Sequence, residues 1–331
     1  MLFVDNEKTT DPRVNLAIEE YLLRNLEIED DILLFYINEP SIIIGRNQNT
    51  LEEINLAYVE EHGIHVVRRL SGGGAVYHDL GNLNFSFITL SGKENLHNFK
   101  KFTAPVIQAL NEMGVPAELR GRNDIVVGDR KISGNASFGA RGRMFSHGTL
   151  LYDSDLSHLT EALQVKPGKF ESKGIKSIRS RVANINEFID EPMDIETFRL
   201  RLLESIFSGE RVIPQYLLTP ADWYAIDQLC TERYKCWDWN YGQSPAFNLQ
   251  KTQRFPAGEI DARIDVQNGL VQSVKFYGDF FGQEDVAELQ ERLAGVRYRR
   301  ESIAEVLQGI EVNRYFASMS NDEFVNFFYG Q

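Results

Sequence analysis

The chain is poor in cysteine, in positive charge and in long apolar runs, and each shortage excludes a class of protein. Its 331 residues hold two cysteines, Cys230 and Cys236. That is too few for a disulfide framework or for the four thiolates of a structural zinc. Free thiols in a reducing compartment are the expectation. No apolar run approaches the ~20 residues that span a bilayer. The opening MLFVDNEKTTDP has no basic stretch leading into an apolar one, so it does not read as a signal peptide. Lys and Arg number 35 against 48 Asp and Glu, a net charge of −13. A whole-surface nucleic-acid or anionic-membrane binder needs the opposite field, so neither partner is expected. A local basic site for a small anion, such as a nucleotide, stays open. A soluble, cytoplasmic protein is expected.

What is present is enough for a core: 43% of residues are hydrophobic and 11% aromatic. The length suits about two domains at ~150 residues each. Asp11 and Pro12 open a helix whose face is Val14, Ala17, Ile18, Tyr21 and Leu22. Strands are expected at 32–37, 42–44 and 65–69, with a helix near 54–61. Leu83, Phe85 and Phe87 alternate with Asn84 and Ser86, which predicts a strand with one buried face. Phe102, Val106, Leu110 and Met113 mark a further helix, followed by strands at 125–132 and 148–152. Helices are expected near 194–207 and 220–237. Asn268-Gly269 between alternating runs is a hairpin signal. Helices near 285–293, 303–307 and 322–328 close the chain. The irregular mixture predicts an α+β fold. It would have a large domain over 1–246, with mixed sheets and flanking helices, and a small α+β domain over 247–331.

Four motifs carry chemistry. The first runs from Arg68-Arg69 through Ser71-Gly72-Gly73-Gly74-Ala75-Val76-Tyr77 to His78-Asp79. Three consecutive glycines cost conformational entropy, so the backbone must need them. Their N–H groups can close on an anion as a nest; a tight turn with solvated arginines is the alternative. Only one of two adjacent arginines on a strand end faces the turn, and Arg69 is the nearer. His78 and Asp79 point to opposite faces, which argues against a relay between them. The second motif is Asn123–Val127, Gly128-Asp129, then Arg130-Lys131-Ile132-Ser133-Gly134-Asn135. The turn returns Lys131 beside the preceding strand, among small residues, as an anion pocket requires. Asp124 is a candidate ligand for a nucleotide-borne divalent cation. The third is Ser146-His147-Gly148-Thr149. The fourth is a basic loop near 166–181, where a solvated linker is the alternative.

Taken in this order, the motifs resemble those of the lipoate–protein ligases. Gly45-Arg46-Asn47-Gln48-Asn49, the block from Arg68 to Asn82, the run from Gly121 to Ser137, His147–Leu151 and Ser177–Asn184 carry the resemblance. Trp237 to Phe247 adds a junction typical of the two-domain members. The resemblance implies a large domain related to biotin ligases and a small C-terminal one. It implies ATP and lipoate as substrates, with Mg²⁺, and lipoyl-adenylate made with loss of pyrophosphate. The lipoyl group then passes to a lysine of a lipoyl carrier domain, on acyltransferase subunits of 2-oxoacid dehydrogenases or on glycine cleavage H protein. It implies nucleotide contacts at Arg69, Gly74, Ala75, Val76, Tyr77 and Lys131, with Lys131 the catalytic residue. Lipoate contacts are implied at Arg69, Gly73, Gly74, His78, Lys131 and Gly134. The loop of Lys173, Gly174, Ile175, Lys176, Ser177, Ile178, Arg179 and Arg181 is expected to cover the adenylate. Tyr77 stands where some relatives have Phe, so a hydroxyl must be accommodated.

The chemistry fits these residue types. A carboxylate attacking the α-phosphorus of ATP brings two anions together, so the site must neutralise charge, align the reactants and exclude water. An ammonium ~4 Å from such an oxygen is attracted by ~4 kcal/mol at intermediate dielectric, before desolvation. Two rivals remain. An octanoyl or lipoyl acyltransferase with a cysteine nucleophile would have to use Cys230 or Cys236, both in a helical stretch. A non-catalytic binder of lipoate or of a carrier domain would not need Lys131.

Overall fold

A computed structural model describes residues 1–91, 98–163, 182–208, 210, 212–241, 249–267 and 269–329. The chain divides into two compact units. One is Met1–Ile43, Leu51–Arg68 and Val76–Asn240; the other is Ile44–Thr50, Arg69–Ala75 and Tyr241–Gln331. The Gly-rich turn thus belongs to the same unit as the C-terminal strands.

The first unit is built on a seven-stranded mixed sheet. Its members are β1 (Leu2–Asp5), β2 (Ile32–Ile37), β6 (Asn82–Leu90), β7 (Ala117–Arg120), β8 (Asp124–Val127), β9 (Arg130–Ala140) and β10 (Arg143–Leu151). Their order is β1-β2-β6-β10-β9-β8-β7. Only β1 and β2 run parallel; the other neighbours are antiparallel. A smaller sheet orders β4 (His65–Arg68), β3 (Ser41–Ile44) and β5 (Val76–His78) as β4-β3-β5. The helices are α1 (Pro12–Arg24), α2 (Thr50–Glu53), α3 (Leu56–Glu61), α4 (Phe99–Glu112), α5 (Leu156–Ala162), α6 (Ile195–Ile206), α7 (Pro220–Leu229) and α8 (Trp237–Asn240).

Apolar spacing decides which helix covers which face. Phe102, Val106 and Leu110 of α4 and Phe198 and Leu202 of α6 pack with Leu33, Phe35, Phe85 and Phe87 in one core. Each such side chain contributes about 1.5–3 kcal/mol on burial. The helix α1 lies on the opposite face, against β6 and β10. The strand β6 is therefore buried on both faces from Asn82 to Thr89, where alternation predicted one. Its polar face is bonded to protein in part: Asn82 Nδ2 donates to Asn84 Oδ1 at 3.0 Å, and Asn84 Nδ2 to the Tyr36 carbonyl at 3.2 Å. The helix expected over 220–237 is also broken. After α7 comes a π-turn at Cys230–Tyr234, and α8 starts at Trp237. Tyr234 reaches from that turn to Glu20 of α1, its hydroxyl donating at 2.9 Å.

In the second unit β11 (Leu249–Phe255), β12 (Gly258–Gln267) and β13 (Leu270–Gly278) form an antiparallel meander. Gly269, at φ 73°, occupies the hairpin expected there; Asn268 lies outside the described residues. Helices α9 (Val286–Leu293), α10 (Arg300–Val306) and α11 (Asn321–Tyr329) complete the unit. Its core stacks Phe276, Phe316, Phe324 and Phe328 on Ile260, Ala262 and Ile264. Asn47 enters this unit through its carbonyl, which accepts from Gly278 N at 2.8 Å.

Candidate active site

Lys131 stands at the edge of a defect in the β8–β9 ladder. Gly128-Asp129 makes the turn, with Gly128 at φ 57°. Pairing runs Val127↔Arg130 and Val126↔Lys131, then jumps to Ile125↔Ser133 and Asp124↔Gly134. Ile132 is the extra residue of a β-bulge, which breaks the alternation and re-aims its neighbours. The Lys131 side chain lies across Gly134, where a Cβ would stand 3.0 Å from Nζ and 3.2 Å from Cε. Nζ ends 2.7 Å from Asp124 Oδ1, both side chains 40% exposed. An ion pair that exposed is worth only ~0–1 kcal/mol, so it aims the ammonium without locking it. The Lys131 carbonyl accepts from Ala183 N at 3.0 Å, and Val182 bridges to Lys131 where the described chain resumes. The basic loop residues Lys173 to Arg181 lie outside the described residues.

Around Lys131, residues of the second and third motifs bond to one another, a connection that spacing alone did not show. Gly134 N donates to Thr149 Oγ1 at 3.2 Å. Asn135 Nδ2 donates to the Asn123 carbonyl at 3.0 Å and to Ser133 Oγ at 3.2 Å. The signal was Gly148. A Cβ there would sit 2.1 Å from Asn135 Oδ1 and 2.6 Å from Phe85 Cζ, so only glycine lets β10 pass.

The same unit holds the end of the first motif. Val76 pairs with Ile43 across β3 and β5. Tyr77 is buried, its ring stacked on His158 at 6.2 Å; burial holds its phenol above the ordinary pKa. His78 is buried, with Nδ1 3.0 Å from Asn38 Nδ2. Asp79 does not serve it. Its carboxylate accepts from Gly81 N at 2.9 Å and Asp155 N at 2.7 Å. His147 Nδ1 lies 2.9 Å from Glu19 Oε1, both buried. Arg68 is spent on the chain around α8: Nε donates to the Trp239 carbonyl at 2.8 Å and Nη2 to the Asn240 carbonyl at 3.2 Å.

In the second unit Arg69 faces the Gly-rich turn, as expected, but its bonds go to the turn itself. Nη2 donates to the carbonyls of Gly72 at 2.7 Å and Gly74 at 2.8 Å, and Nε to Ser71 Oγ at 3.0 Å. Each peptide is planar and trans, so the N–H groups of Gly73 and Ala75 point away from Arg69. The arginine thus shapes the turn, leaving amide donors on the other side. Gly73 has φ 93°, and Gly45 passes so close that its Cβ would be 1.9 Å from Gly73 O. Gly74 is different: its φ is ordinary and a Cβ would meet nothing within 4 Å among the described residues.

Among the described residues, no group of three or more His, Cys, Asp or Glu could hold a metal ion. No described helix is long and apolar enough to cross a membrane. Both cysteines are free; Cys230 is fully buried, and burial pushes its thiol up.

Comparison with known proteins gives one answer. The family model described as "Lipoyl protein ligase A/B catalytic domain" matches residues 11–207, and "Bacterial lipoate protein ligase C-terminus" matches 244–328. The lipoate-protein ligase LplJ of Bacillus subtilis is 58% identical over 331 residues, covering 99% of this chain and 100% of the relative. Plasmodium falciparum LipL1, solved in complex with lipoate, has TM-score 0.79 at 25% identity and 99% coverage of both chains. A bi-partite lipoate protein ligase from Thermoplasma acidophilum, solved with its E2 lipoyl domain, has TM-score 0.65 at 31% identity, covering 75% of this chain and 98% of that one. A lipoate-protein ligase A bound with ATP has TM-score 0.61 at 30% identity, covering 73% and 97%. Fold and sequence together thus define a ligase enzyme. The chain belongs to the lipoate–protein ligase family, whose reaction joins lipoate to protein with ATP.

Proposed function

We propose that this ligase converts lipoate and ATP to lipoyl-AMP and pyrophosphate, then passes the lipoyl group to one lysine of a lipoyl carrier domain. The observation that carries this reading is the Lys131 ammonium laid across Gly134 and held by a half-exposed carboxylate. An arriving carboxylate or α-phosphate can take Lys131 from Asp124 at little cost. In the adenylation transition state the ammonium then offsets the charge that builds as the two anions meet. Lys131 is the catalytic residue in this reading, and it contacts both nucleotide and lipoate.

The Gly-rich turn supplies the remaining nucleotide contacts, at Arg69, Gly74, Ala75, Val76 and Tyr77. The outward amides of Gly73 and Ala75 and the open space at Gly74 support this, because nothing among the described residues requires glycine at 74. Lipoate is assigned to Arg69, Gly73, Gly74, His78, Lys131 and Gly134. Asp124 is a single carboxylate, which suits an Mg²⁺ held mainly by phosphate oxygens and water. The ion would supply further neutralisation of phosphate charge. We assign the adenylate cover to Lys173–Arg181, the division of labour to 1–246 and 247–331, and the cytoplasm as compartment. The T. acidophilum ligase solved with an E2 lipoyl domain supports carrier domains of 2-oxoacid dehydrogenases as acceptors; H protein is the other acceptor we propose.

The test is mass spectrometry of an apo lipoyl domain incubated with enzyme, ATP, Mg²⁺ and lipoate. One lipoyl group should be gained on one lysine, and none when ATP is omitted. Acyl transfer from an octanoylated carrier without ATP would overturn the reading in favour of an acyltransferase.

A further inference from the structure

Four buried side chains form a single-file hydrogen-bonded chain in the first unit. Asn6, Asn15, Asn38 and His78 are 3%, 0%, 0% and 4% exposed. Asn6 Nδ2 donates to Asn15 Oδ1 at 2.8 Å. Asn15 Nδ2 donates to Asn38 Oδ1 at 2.9 Å. Asn38 Nδ2 meets His78 Nδ1 at 3.0 Å. They come from the end of β1, the second turn of α1, the residue after β2, and β5.

The direction of this chain is set by backbone. Asn15 Nδ2 also faces the carbonyls of Thr9 at 3.1 Å and Ile37 at 3.2 Å. Asn6 Nδ2 faces the Thr9 carbonyl at 2.9 Å. A carbonyl only accepts, so the nitrogen of Asn15 must point there and its oxygen toward Asn6. Asn38 then receives a donor from Asn15, so its own oxygen is turned to Asn15 and its NH₂ to the imidazole. An NH₂ group can only donate, so His78 Nδ1 must be bare. A neutral imidazole with a bare Nδ1 carries its proton on Nε2.

We propose that Asn15 and Asn38 are positioning residues that fix His78 as a neutral Nε2–H donor toward the lipoyl carboxyl group. The lipoate part rests on the assignment of His78 to the lipoate site given above. Protonating Nδ1 would set an N–H against the Asn38 NH₂, so the chain also opposes the imidazolium. Burial adds to this, since an ion is costly in a low-dielectric interior. A hydroxyl in Asn38's place could both donate and accept, and would impose no such direction. A chain of amides anchored on two carbonyls does, and each link polarises the next.

The test is long-range ¹H–¹⁵N NMR on enzyme labelled at histidine, with His78→Gln used to assign the signal. At neutral pH wild type should show Nδ1 bare and Nε2 protonated, and lipoate should shift the Nε2 proton. Asn38→Asp replaces the donor by an acceptor-only carboxylate while leaving Asn15 its partner, so Nδ1 should become protonated. Thermal melting reports whether that variant is folded; the wild-type spectrum needs no variant. A protonated Nδ1 in wild type would overturn the asparagine lock. An Nε2–H signal unmoved by saturating lipoate, in enzyme that still releases pyrophosphate, would overturn the contact between His78 and lipoate.

Discussion

The ammonium of Lys131 and the carboxylate of Asp124 are 2.7 Å apart across neighbouring strands, over a glycine that sits in register with Asp124. The bulge at Ile132 puts Gly134, rather than Ser133, opposite Asp124, so the lysine lies over a residue with no side chain. The pair aligns a charge that the proposed reaction needs, at a site where solvent keeps the pairing weak.

Lys131→Ala should abolish adenylation while leaving the fold intact. Loss of one positioned charge in a transition state costs about 10²–10³ in rate, whereas loss of the exposed pair costs ~0–1 kcal/mol of stability. Pyrophosphate release and thermal melting are measured on the same sample. Near-normal release from the folded variant would remove Lys131 from the mechanism.

The glycines should separate by role. Gly45→Ala puts a Cβ 1.9 Å from Gly73 O, so backbone must move and ~1–3 kcal/mol of stability should be lost. Gly74→Ala puts a Cβ within 4 Å of nothing among the described residues beyond its own chain neighbours and should melt within ~0.5 kcal/mol of wild type. It should nonetheless weaken ATP binding by about ten-fold or more, as a methyl group enters the space assigned to phosphate. Calorimetric titration with ATP decides, and unchanged affinity would make Gly74 a bystander.

Turn chemistry made part of this site legible in advance. Gly128-Asp129 predicted the hairpin, and with it the return of Lys131 beside β8. The bulge at Ile132 left no such mark, because an isoleucine there suits a buried position in either register. The polar residues of β6 misled for a related reason: Asn84 and Ser86, between apolar neighbours, predicted that only one face is buried. The Tyr36 carbonyl that accepts from Asn84, and the helix that covers this face, come from elsewhere in the chain. Asn6, Asn15 and Asn38 were silent likewise, since a lone asparagine carries no periodic signal and its role exists only once β1, α1, β2 and β5 have met.

Cys230→Ser and Cys236→Ser, singly or together, should leave ligation largely unchanged. A buried thiol pushed up by desolvation is a poor nucleophile. Intact-mass analysis after incubation with acyl donor provides the check. A covalent adduct on either cysteine, lost together with turnover in the serine variant, would restore the acyltransferase reading.

Stability should depend on pH through Asp222. Burial pushes this carboxyl up, but hydrogen bonds from Tyr21 at 2.5 Å, Thr219 N at 2.7 Å and Tyr216 at 2.9 Å outweigh it, so its pKa falls below the ordinary value. A depressed carboxyl stabilises the fold above the unfolded pKa of ~4. That contribution is lost as pH drops through the folded value. Asp222→Asn should therefore cost about 1–3 kcal/mol at pH 7, and the melting gap to wild type should narrow toward pH 3. A gap that is constant across that range would contradict this account.

Asp11 caps α1, its Oδ1 accepting from Arg13 N at 2.9 Å, and Pro12 occupies the first helical position. That fixed start determines where Asn15 and Glu19 fall. One reaches His78 on β5 through Asn38; the other meets His147 on β10 directly. Four residues of helix advance by ~6 Å, so α1 works as a gauge block between two imidazoles carried by different sheets. Inserting a single residue between Asp11 and Asn15 would turn the helix by ~100° and swing both side chains off their histidines at once. The rotational phase of α1, set by a cap at its N-terminal end, is thus shared by two rings that never touch it through the same residue.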